Sequence, residues 1–152
     1  MKKLFAVILT VALLMSLSVT AFAANSTGGD ADITTSIDPT YTVTIPADVN
    51  VQFNATETDF GAIEVAASQI HPDKCIKVAL ATDKELNNAI DNTKVIPYAI
   101  KDSEGAEFTS ATYLTEGDKT ELSIHITADD WNAAYAGEYS DTVTFTITYE
   151  DK

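Results

Sequence analysis

The sequence predicts an antiparallel all-β sandwich of about 7–9 short strands with one short helical crossover. Three observations predict it. The last stretch of the chain, residues 139–150, alternates apolar and polar residues almost strictly. Residues 31–45 show the same alternation near the other end. Between them, short β-branched runs recur at spacings of roughly 8–15 residues, punctuated by Gly, Pro and Asp turns, and no long run has helical period.

In the last stretch Tyr139, Val143, Phe145, Ile147 and Tyr149 share one parity, and Ser140, Thr142, Thr144, Thr146, Thr148 and Glu150 the other. Period two with β-branched and aromatic residues describes a strand with one buried and one wet face. Its length and regularity predict a central position in a sheet. Asp141 breaks the pattern on the apolar side. Burying a bare carboxylate is costly, so it is expected near the strand start, satisfied by backbone N–H groups or water.

Residues 1–23 read as a cleavable signal peptide. Lys2 and Lys3 form a charged start, an apolar run follows, and Ala21-Phe22-Ala23 fits the small-x-small pattern that signal peptidase reads. Residues 24–30 form a short, flexible polar leader, and residues 31–152 the single β-sandwich domain. The expectation is an exported bacterial protein, secreted or at the cell surface, with no membrane association after cleavage.

Residues 31–37 and 40–45 read as two short strands with a bend at Asp38-Pro39, because proline is not tolerated in a central strand. Ile33, Thr35 and Ile37 share one face of the first. Two readings stand: this strand closes its own sandwich, or it is an arm that pairs with a neighbouring molecule. Further strands are expected at 49–53, 60–65 and 74–82. Residues 83–93 read as a loop or one helical turn. Strands follow at 95–101, with Pro97 marking a sheet edge, at 107–113 and at 121–127. Thr127 or Ala128 opens the crossover helix, and Asp129 and Asp130 suit the positive end of its first turn. Trp131 is placed to plug one end of the core. Tyr139 is placed for a tyrosine-corner hydrogen bond.

The chain of 152 residues carries a net charge of −14, and loss of Lys2 and Lys3 with the signal takes it near −16. Such acidity argues against nucleic acid and anionic membranes as partners. Cys75 is the one cysteine, so no internal disulfide is possible. The fold is expected to rest on its apolar core.

The segments Val95-Ile96-Pro97-Tyr98-Ala99-Ile100, Phe60-Gly61 and above all the run from Ala136-Gly137-Glu138-Tyr139 to Tyr149 resemble secreted subunits of the spore coat protein U and fimbrial type. The resemblance implies an immunoglobulin-like sandwich that assembles at the cell surface, one subunit lending a strand to the next. The chain departs from that family in lacking its paired cysteines.

No catalytic signature stands out, and the protein is expected not to be an enzyme. Cys75 has three readings: inert packing, an inter-chain disulfide, or a nucleophile. His71 and His125 have no zinc-like spacing. The acidic clusters lack the spacing of a calcium hand, which leaves weak calcium binding at converging loops and no cofactor. Tyr113 and Tyr135 are the candidate aromatics for stacking on sugar; Tyr98 and Trp131 read as core. The leading expectation is a cell-surface structural or adhesive subunit, with its own kind or other surface subunits as partners and Ile33, Thr35 and Ile37 as the assembly strand. The alternative is an extracellular carbohydrate-binding module with glycan as partner.

Overall fold

The structure, a computed structural model, describes residues 30–152. The predicted signal peptide and all but the last residue of the leader lie outside the described residues. Residues 30–35 are exposed and carry no strand, and residues 36–152 form a separate compact unit.

That unit is an antiparallel all-β sandwich with ten strands and one short helix. The first layer is a sheet in the order β1 (Thr40–Thr44), β2 (Glu57–Gln69), β8 (Lys119–His125), β6 (Ala99–Asp102). The second layer holds two sheets end to end. One has the order β10 (Thr144–Asp151), β3 (Lys74–Ala81), β7 (Ser110–Tyr113); the other has β5 (Val95–Pro97), β4 (Glu85–Asn88), β9 (Tyr139–Ser140). β3 runs on into β4 and β9 into β10, and both pairs are interrupted at the same level, at 82–84 and 141–143. The core lies between the layers. Ile63, Val65, Ile100, Leu122, Ile124 and Ile126 close it from one side, and Ile76, Val78, Ile96 and Tyr113 from the other.

Alternation explains most of this packing. Leu122, Ile124 and Ile126 face in, as do Ile76 and Val78. β2 shows how parity is repaired where it fails. Phe60, Ile63 and Val65 do not share a parity, yet all three are buried. A bulge between Asp59 and Gly61 inserts the extra residue that turns both sets inward. Gly61 has φ +98°, a left-handed conformation that glycine adopts without a Cβ penalty, and Asp59 Oδ1 accepts its N–H at 2.8 Å.

The helix α1 (Ala128–Ala133) starts as the sequence predicts. Thr127 Oγ1 caps it by accepting the Asp130 N–H, and Asp129 and Asp130 occupy its first turn. Trp131 is partly buried against the core, and its indole Nε1 donates to the Ala55 carbonyl at 2.8 Å. The Tyr139 hydroxyl donates to the Tyr135 carbonyl at 3.0 Å, the upstream backbone bond expected of a tyrosine corner.

Five expectations about elements need correction, the first being the single strand at 95–101, which breaks at Tyr98 into β5 and β6 of different sheets. The last stretch is not one central strand: it breaks into β9 and β10, and among the described residues β10 ends its sheet, paired with β3 alone. Residues 31–37 are not a strand, and the ladder with β2 begins at Thr40, after Pro39. Residues 49–53 are not a strand either, since nothing in the sandwich pairs with them. Residues 85–88, read as loop or helix, form β4 between β5 and β9. Polar Asn and Glu side chains hid this strand, whose order comes from its two neighbours rather than from its own propensity.

Candidate functional site

The two flanks of the sandwich differ. On one, the β6–β7 connection folds across the edge, with Phe108 N–H donating to the Ile100 carbonyl and a bridge between Lys101 and Glu107. On the other, both layers end in edge strands, β1 and β10. The rings of Tyr41 on β1 and Tyr149 on β10 meet at 5.8 Å between centroids, and the Tyr149 hydroxyl accepts the His71 N–H at 3.0 Å. This second flank is open. β10 presents its outer backbone edge over eight residues, and Ile147 is partly exposed.

Beyond the end of β1 the open flank widens into a groove of about 1010 Å³ between residues 45–53 and residues 137–145. Its floor includes Phe60, Ile96, Ile124 and Phe145. Trp131 closes one side, with Phe53 set edge-on to its ring at 5.6 Å between centroids.

Asp141 holds the break between β9 and β10. Its Oδ2 accepts from the Tyr98 hydroxyl at 2.5 Å and from Thr82 Oγ1 at 2.7 Å; its Oδ1 accepts the Thr142 N–H at 2.6 Å. Burial pushes the carboxyl pKa up, but these donors outweigh it and hold the group below the usual carboxylate range. Burial, and then the hydrogen bond to the Asp141 carboxylate, push the Tyr98 phenol far above its ordinary value. The backbone partner expected for Asp141 is present as Thr142. The two hydroxyls come from distant connections between strands, at Thr82 and Tyr98, which the sequence does not reveal.

The candidate residues fall at different places. Ile33 and Ile37 are 97% and 61% exposed, with Thr35 exposed between them. Tyr113 is 3% exposed, in the core, with its hydroxyl donating to Thr120 Oγ1 at 2.8 Å. It is therefore not a sugar platform: its ring is an inward residue of β7. Tyr135 is 64% exposed, but Lys94 Nζ lies 5.1 Å from its ring centroid and already occupies the aromatic face. The two tyrosines do not form a common surface.

Cys75 is 2% exposed, and its Sγ lies 3.6 Å from the Glu150 carbonyl oxygen. The thiol is covered by the β3–β10 ladder, which withholds it from a second chain and corrects the inter-chain disulfide reading. Among the described residues, no group of three or more His, Cys, Asp and Glu is placed to hold a metal ion. Among the described residues no helix is long and apolar enough to cross a membrane.

The fold and its open flank define a β-sandwich protein with a sheet edge that is unpaired among the described residues. In comparisons with known proteins, no family model and no curated relative matches this chain.

Proposed function

We propose that this protein is an exported, non-enzymatic structural or adhesive subunit of the bacterial cell surface that self-associates by β-strand addition. The observation that carries the reading is β10. It is a long, regular strand of alternating apolar and threonine residues whose outer edge is unpaired among the described residues. A long exposed edge of this kind is normally covered or blunted, because its free N–H and C=O groups template pairing with another chain. Here it is left available.

Residues 31–37 of a second molecule are the donor. Their Ile33, Thr35 and Ile37 alternate as a strand requires, and they have no ladder partner among the described residues. Main-chain hydrogen bonds supply the pairing, and the two isoleucines fix its register. The carbohydrate-binding reading keeps Tyr135 alone and is the weaker of the two.

The test is multi-angle light scattering with negative-stain microscopy on residues 24–152 across concentration. Fibres or a ladder of oligomers are expected. A monomer at every concentration overturns the reading.

A further inference from the structure

The groove beyond the end of β1 is lined mostly by residues outside β10. It has three properties that together select an occupant. The first is unmet backbone. Residues 45–51 make no backbone–backbone hydrogen bond among the described residues, and across the groove β9 and the start of β10 pair on one side only. The second is shape. At about 1010 Å³ it reaches the top of the range for small-molecule pockets, which runs to roughly 1,000 Å³. It is also an open trough between two extended segments, not an enclosed hole. Such a trough, which offers the partly buried Val143 and Phe145 and the more exposed Ile45 and Val49, suits an extended chain that sends alternate side chains inward.

The third property is charge. Among the described residues, the ionisable groups lining the groove are Asp48, Glu138 and Asp141, together with the Tyr139 phenol, and no lysine, arginine or histidine lines it. The chain's own donor segment is a poor match, because Asp30, Asp32 and Asp38 accompany its isoleucines and residues 30–38 contain no cation. Like charges brought together at an interface disfavour that pairing.

We propose that this groove binds an extended segment of a different protein, apolar at alternate positions and flanked by lysine or arginine. The segment pairs its backbone with the free edge of Tyr139–Ser140 and the start of β10. It places its apolar side chains on the floor and its cations against Asp48 and Glu138. This goes beyond self-association: it is a second site on the same flank, with opposite charge preference.

The test is fluorescence anisotropy on the full mature chain with three labelled peptides. Two share an alternating Val/Ile centre, one with lysine flanks and one with aspartate flanks; the third is residues 31–38 of this chain. The lysine peptide is expected to bind at least about tenfold more tightly than its aspartate twin, with the gap shrinking at high salt. The double variant Asp48→Asn/Glu138→Gln, both at exposed positions, is expected to remove most of that preference. Val143→Arg, which puts a long side chain into the groove, is expected to weaken both designed peptides, with near-UV circular dichroism reporting that the fold is kept. Equal binding of the two twins, tightest binding by residues 31–38, a charge preference untouched by the double variant, or no binding of any peptide near millimolar concentration overturns the proposal. Self-association is read separately by scattering, so the two readings fail independently.

Discussion

The Tyr98 hydroxyl donates to Asp141 Oδ2 across 43 positions of sequence and ties together the two places where strands change course. Tyr98 stands between β5 and β6, where the chain leaves the second layer for the first. Asp141 stands where β9 gives way to β10. One hydrogen bond, reinforced by Thr82, thus fixes both irregularities beside the groove.

Tyr98→Phe removes a donor from a carboxylate without changing ring volume. Hydrogen bonds to charged groups contribute about 1.5–3 kcal/mol, and a loss at the low end, near 1.5 kcal/mol, is expected here because Asp141 keeps two other donors. Urea unfolding of the variant against the parent at neutral pH measures it.

The same cluster sets a pH dependence. Asp141 has its folded-state pKa lowered, so its contribution to stability is fully present above the unfolded carboxylate value, about 3.9. It is lost as pH falls from there through the lower folded value. Asp141→Asn is therefore expected to cost stability at neutral pH and to narrow its deficit below about pH 4. Paired urea titrations at pH 7 and pH 3 check the sign; an unchanged deficit refutes it.

Gly137 has φ +151°, and a Cβ built there would lie 2.5 Å from Asn88 Nδ2. Asn88 is buried, and its Oδ1 accepts the N–H groups of Ile90 and Asp91, so its side chain has little room to yield. Gly137→Ala is expected to destabilise by about 1–3 kcal/mol through strain and overpacking. Thermal melts of the variant read this, and an unshifted Tm would remove the argument.

Cys75 is expected to stay reduced and monomeric. In non-reducing gels of the folded protein no disulfide-linked dimer should form, and a thiol reagent should react at the rate of unfolding or local opening rather than at the rate of a free thiol. Rapid stoichiometric labelling under native conditions would contradict the burial of this side chain.

Ile33→Asp with Ile37→Asp is expected to abolish the proposed self-association of residues 24–152 and to leave their Tm unchanged, since both side chains are exposed and lie outside every ladder of the described residues. Scattering and a thermal melt on the same sample separate the two effects. A lowered Tm would instead make these residues part of their own sandwich.

Much of the fold was legible in the sequence because inward strands alternate. Ile76 and Val78, and Leu122, Ile124 and Ile126, recur at alternate positions of the expected strands, and all face the core. The helix cap at Thr127 and the tyrosine corner at Tyr139 followed from residue type and position. The failures also have physical causes. Parity cannot see the bulge that reunites Phe60 with Ile63, because the inserted residue is visible only against the partner strand. Tyr113 lies on the expected strand but in the core rather than on a surface, since a tyrosine can bury its ring where its hydroxyl has a partner, here Thr120. β4 has polar side chains and owes its extended form to β5 and β9. The groove was missed altogether, because it is made of what residues 45–51 and 137–145 leave unpaired.

The sequence by itself determined the class of the fold, the sites of most strands and the capped helix, all of which depend on near neighbours in the chain. The tertiary structure decided which strand stands at an edge, which hydroxyls reach Asp141 and which flank stays open. Those are matters of pairing between distant segments, and local pattern says that a residue faces inward without saying what it will meet there.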